Sequence, residues 1–359
     1  MNKVGNNVIT PLQVTFLLIG SMIGIGILSL PNDLINIAKQ DAWISAVIGG
    51  VYPLYIVIIA SLLCKRYPEK NILSLSRKCF GKFFGNVLNL IFLLYFVLFA
   101  TAVAIEISMV LETLVVSFLS TLKILIALFF LAAYTSIKGL KVLARVNELM
   151  FLYTVLLSLI LTTALSKGTY LNICPILGSG VLNIIRASKH SAFAYGGVEI
   201  ILLIYPYITD KTRIMRVSLL GVMITAIIYC WSTFVTIYYL GIDIIPKTQW
   251  SVSMVPKTIE IPVINNFSFI FIILWSTIIC KTISNSYFAT AFILKDFFNN
   301  IGIKKIIYAI YPLMIYLSLQ YRNSIIRQGF LSYIIPKYTL FNIAYITSII
   351  LIVCMKKDN

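Results

Sequence analysis

Long apolar runs separated by short charged loops repeat along the whole chain. They predict spanning helices at about 11–36, 42–64, 84–112, 120–137, 146–166, 181–208, 217–241, 265–298, 305–320 and 337–355. A helix rises 1.5 Å per residue, so ~20 apolar residues cross a hydrocarbon core of ~30 Å. The pattern predicts an all-α integral membrane protein with about ten transmembrane helices.

Two of these runs are interrupted. The first contains "GSMIGIGILSLP", with Gly20, Gly24, Gly26 and Pro31; the sixth contains "FAYGGVE", with Gly196 and Gly197 near mid-depth and Pro206 toward its end. Glycine weakens a helix and proline removes a donor. Unpaired backbone groups are costly in lipid, so both breaks must face protein, water or ligand. The interrupted runs lie five helices apart. Five is odd, so the second half enters from the opposite face: a single domain over 1–359, built as a 5+5 inverted repeat of about 8–166 and 181–355. Paired interruptions at corresponding positions point to a substrate site near the bilayer midplane. The simpler alternative is that these glycines only let helices pack closely.

Composition supports the membrane assignment and narrows the chemistry. Of 359 residues, 60% are hydrophobic and 11% charged, with mean hydropathy +0.97. The net charge of +17 does not indicate nucleic acid, because the basic residues gather in alternate loops. Lys3, the 65–82 loop (Lys65, Arg66, Lys70, Arg77, Lys78, Lys82), Lys138 to Arg145, Lys211 to Arg216, Lys295 to Lys305 and Lys356–Lys357 share one side. By the positive-inside rule both termini are cytoplasmic. A loop around Arg322, Arg327 and Lys337 runs against this trend. The six cysteines form no C-x-x-C pair and the single histidine is His190, so neither a disulfide framework nor a metal site is expected. No cofactor is expected. The chain has no P-loop, H-E-x-x-H or G-x-S-x-G, and "GIGILS" has serine where a dinucleotide fingerprint needs its third glycine. An enzyme is not expected.

The breaks offer chemistry of their own. A half-helix start exposes N–H groups that suit a carboxylate; a half-helix end exposes carbonyls that suit an ammonium. Two breaks side by side would hold an α-amino acid without any charged side chain. Ser29 is placed to cap a freed donor.

The motifs "ITPLQVTFLLIGSMIGIGILSLP", "FAYGGVEIILLIYPYI" and "LWSTIICKTISNSYFATAFILKDF", in this order and spacing, resemble the amino acid–polyamine–organocation transporter superfamily. Within it, the chain resembles the spore-germination permeases, the B subunits of nutrient germinant receptors. The resemblance covers nearly the whole chain and is stronger before Asp296. It implies a small germinant, an amino acid, as ligand, with an A subunit and a C-type lipoprotein as partners in the inner spore membrane. It further implies that amides of Gly24, Ile25 and Gly26 hold the ligand carboxylate. Carbonyls of Phe193, Ala194 and Tyr195 would hold its amine beside Gly197, with Tyr195 stacked over it as a gate. A proton-coupled amino-acid transporter without sensory partners is the alternative, and a membrane scaffold with a vestigial pocket a third.

Intramembrane charges each need a reason. Glu199, the glutamate of the sixth-run motif, suggests a proton acceptor or conformational latch, or a carboxyl that caps freed backbone amides. Lys281 stands at the centre of the eighth span, where spans one and eight of the superfamily enclose sodium. It is expected to occupy that position or to pair with Glu199. Glu106, 22 residues into the third run, is expected at the outer interface. Arg186, Lys189 and His190 share one helix face and either draw anionic ligands inward or form a solvated helix end.

Overall fold

The structure is a computed structural model and describes residues 8–259, 267–321 and 324–355. Thr10 and Gln13 form a reciprocal capping box ahead of Pro11, a start signal for the first helix, α1 (Pro11–Met22). The chain breaks at residues 23–25 and resumes as α2 (Gly26–Ala38). Next come α3 (Ala42–Ile48), α4 (Val51–Arg66), α5 (Ile72–Leu114), α6 (Thr121–Ile137) and α7 (Leu140–Ile160). The sixth run divides into α8 (Val181–Ser188), a turn at 193–197 and a short α9 (Ile201–Ile204). Four more helices follow: α10 (Ile214–Ile244), α11 (Phe267–Phe297), α12 (Ile303–Leu319) and α13 (Ser324–Met355).

Among the described residues, six helical stretches are long and apolar enough to cross a membrane. The chain is therefore a multi-pass, all-helical membrane protein. The interrupted first run packs at its centre: α1 lies against α7, α10 and α11, and α11 lies against α5 and α6. A single parallel bridge, Ile9 to Ile208, ties the chain entering α1 to the exit of the sixth run.

α5 begins at Ile72, where Asn71 caps it through the Ser74 amide; the backbone leaves the helix at Gly81 (φ +80°), and the helical stretch that follows agrees with the run expected from about 84. One expected boundary is corrected. The loop expected around Arg327 and Lys337 is helix: α13 runs from Ser324, and Arg322 lies outside the described residues. Its basic residues had masked a helix whose Arg327 is buried (2% exposed).

Candidate functional site

The two breaks meet face to face. A Cβ on Gly26 would fall 2.9 Å from the Ala194 Cα, closer than side chains approach backbone. Gly197 has φ +94°, and a Cβ there would stand 2.5 Å from the Ser21 carbonyl oxygen. Only glycine meets both demands. The sequence reading attributed Gly26 to ligand approach; the structure gives it a nearer cause, contact with the other break.

Tyr229 on α10 joins the two breaks. Its hydroxyl lies 2.7 Å from both the Met22 and the Ala194 carbonyl oxygens, and with one proton it satisfies one of them at a time. The Trp275 indole donates to the Gly24 carbonyl (3.2 Å), and Thr282 lies within reach of the Gly20 and Ile23 carbonyls (2.9 and 3.1 Å). The carbonyls at the end of α1 are thus partly satisfied, each keeping a second lone pair. No backbone hydrogen bond among the described residues is donated by Gly24, Ile25 or Gly26. Their amides are the orphan donors of the α2 N-terminus, where the helix dipole favours negative charge.

Tyr195 is fully buried, donates to the Ala46 carbonyl (2.7 Å) and meets Tyr229 edge-on at 4.9 Å. The Phe193 carbonyl accepts from Gly196 within the turn (3.1 Å), and the Phe193 ring packs on Phe99. The residues singled out in the two runs therefore do come together, with Tyr229, Trp275 and Thr282 added.

Lys281, 2% exposed, donates to the Ile23 carbonyl at 3.1 Å, at the C-terminal end of α1. Its side-chain nitrogen thus meets the carbonyl end of the first half-helix, the end at which the helix dipole favours positive charge. Glu199 is also fully buried, but on a different set of partners. Its carboxylate accepts from the Tyr52 hydroxyl, the Tyr95 hydroxyl (2.9 Å), the Gly197 amide (2.9 Å) and Asn342 (3.1 Å). Glu199 and Lys281 form no ion pair, so the expected pairing is corrected. Glu199 links α4, α5 and α13 to the second break, whereas Lys281 links α11 to the first.

One further expectation changes. Ser29 does not cap a helix end: it lies inside α2, and its hydroxyl faces Asp33 one turn on (3.4 Å). Glu106, expected at the outer interface, has a partner the sequence did not reveal: it is buried within the protein (4% exposed) and pairs with Arg327 at 2.7 Å. Sequence reasoning also passed over an amide pair, Asn147 with Asn285 (2.8 and 3.0 Å), which fills the space left by Gly20. Asparagine within an apolar run was the available signal.

Comparison with known proteins agrees with this architecture. A family model described as "Spore germination protein" matches residues 8–325. Spore germination protein YndE of Bacillus subtilis (strain 168) is 23% identical over 289 residues, 79% of each chain. Spore germination protein GerQB of Bacillus cereus is 26% identical over 280 residues, 77% of this chain and 76% of that one. Among solved structures, MhsT in complex with L-phenylalanine superposes with a TM-score of 0.61 at 14% identity, covering 87% of this chain and 79% of that one. At that identity the likeness concerns the fold.

Proposed function

The chain belongs to the spore germination protein family, and we propose that it is the germinant receptor B subunit, binding a small nutrient between its two broken helices. Family and fold are those of membrane permeases and transporters, not of enzymes. The observation that carries the proposal is the meeting of the breaks at Gly26 and Ala194, with unpaired amides at Gly24 to Gly26 beside carbonyls that Tyr229 only half satisfies. A carboxylate suits those amides, and an ammonium suits the Phe193–Tyr195 carbonyls beside Gly197. That pair of demands describes an amino acid, and MhsT, which shares the fold, was solved with one. Tyr195 closes over the ligand.

In this reading the chain is a single 1–359 domain of ten spans in a 5+5 inverted repeat, with both termini cytoplasmic and the inner spore membrane as its location. An A subunit and a C-type lipoprotein are its partners. Glu199 holds the second break in register with α4, α5 and α13, and Lys281 serves as a built-in cation.

The test is a thermal-shift screen of the purified protein against amino acids and nucleosides. A ligand at a hundred times its Kd adds about 2.7 kcal/mol of stability. At least one amino acid is expected to raise the melting temperature. A flat response to all amino acids, or a response to nucleosides alone, would overturn the ligand class.

A further inference from the structure

Where α4 ends and α10 begins, two basic helix ends border an open groove. One part of it, a cavity of about 510 Å³, is lined by Leu62 and Lys65 of α4 and by Lys211, Thr212 and Met215 at the entry to α10. Through Thr212 and Met215 it continues into a second cavity, bordered by Arg216 and Leu219. α4 and α10 pack on each other, so the groove is a seam between neighbouring helices.

Away from their basic ends, both helices are apolar along this seam. Ile58, Leu62 and Lys65 recur at helical spacing on α4, and all three are exposed. Arg216, Leu220, Met223 and Ile227 do the same on α10. At 1.5 Å per residue the α10 stripe runs roughly 16 Å inward from Arg216, about half of a ~30 Å hydrocarbon core. The stripe is as deep as one leaflet.

Not every cation at the mouth of the seam is open to a ligand. Lys211 pairs with Glu69, and Arg213 with Asp210 at 3.0 Å. Lys65 and Arg216 have no carboxylate within ion-pair distance among the described residues. Basic residues at span ends follow from topology alone. Here they stand over a seam with apolar walls, and that combination selects an amphiphile with an anionic head.

We propose that the seam between α4 and α10 is a binding site for a phospholipid of net negative headgroup. Lys65 and Arg216 receive the phosphate, and the acyl chains lie along the two apolar stripes. A free anion would use neither stripe, and a zwitterionic phospholipid would bring its own ammonium to the two cations. The site also reaches the helix breaks. α4 carries Tyr52, which donates to Glu199, and α10 carries Tyr229, which contacts both breaks. Each tyrosine stands roughly 20 Å along its helix from the basic end. A lipid that bridges those ends holds together the two helices that carry these contacts.

The test is native mass spectrometry of the full-length protein in neutral detergent. It is titrated with phosphatidylglycerol and with phosphatidylcholine of the same acyl chains. Two basic residues on one anionic headgroup should favour phosphatidylglycerol roughly tenfold or more. A Lys65→Gln/Arg216→Gln variant should lose most of that preference. Lys304→Gln/Lys305→Gln, which removes the same charge at the start of α12, should keep it. All four residues are exposed, so circular dichroism in lipid-free detergent should show both variants folded. Glycerol phosphate, at the lipid's concentration, should displace nothing.

Equal retention of the two lipids would overturn the site. So would an equal loss of preference in both variants, which would trace it to overall charge. Displacement by glycerol phosphate would make this a soluble-anion site, and a doubled mass with no lipid retained would assign the seam to a second copy of the chain. Either result overturns the lipid assignment.

Discussion

At the scale of single residues, the site is held by hydrogen bonds that leave little slack. Glu199 accepts from two tyrosine hydroxyls, an amide and Asn342. Glu199→Ala leaves these donors unmatched, at about 1–3 kcal/mol for each that finds no water. A large fall in melting temperature is therefore expected, whereas Glu199→Gln, which keeps the shape and one acceptor, should fall less. Unfolding in detergent followed by circular dichroism measures both. Because Glu199 and Lys281 share no partner, the effects of Glu199→Gln and Lys281→Met should add within about 0.5 kcal/mol. A clear departure from additivity in the double variant would show a coupling that the hydrogen bonds do not reveal. Gly26→Val is expected to lower stability as well as binding, since its side chain must displace the Ala194 backbone. Wild-type stability in that variant would contradict the packed contact between the breaks.

At the scale of elements, the broken helices were legible because glycine pairs and prolines interrupt runs that are otherwise uniformly apolar. The partners that fill the breaks were not. Tyr229, Trp275 and Thr282 are ordinary occupants of apolar helices, and only the packing of α10 and α11 on the first break gives them a role. Arg327 misled for a different reason. A basic residue near a span end reads as loop or cytoplasmic face, and nothing local reveals that a glutamate more than two hundred positions away neutralises it. Lys281 places its side-chain nitrogen on the Ile23 carbonyl, at the end of α1 where a bound cation would otherwise sit. Ligand binding should therefore be unchanged when choline replaces sodium, as equilibrium dialysis with labelled ligand would register. A large loss of affinity without sodium would contradict that role. Asp41 offers a parallel case outside the site. Its carboxylate accepts from the Leu177 and Ser179 amides and the Ser179 hydroxyl (2.8, 2.9 and 2.6 Å), pinning the 174–180 segment to the start of α3. Asp41→Ala should speed amide exchange at Leu177 and Ser179 while exchange in α11 stays unchanged.

At the scale of the whole molecule, one chain combines a fold shared with MhsT and membership of a spore germination family, and the proposal makes nutrient binding at the breaks the event that germination reads. Tyr229 tests this most directly, since one hydroxyl contacts both halves of the site. Losing a buried hydrogen bond costs about 1 kcal/mol, and 1.4 kcal/mol is a factor of ten in affinity. The decisive measurement is the nutrient concentration giving half-maximal germination, in spores whose only receptor of this class contains this chain, with and without Tyr229→Phe. The account predicts a rise of roughly five- to tenfold, equal to the rise in Kd of the purified variant. A germination midpoint that stays fixed while the Kd rises would contradict it.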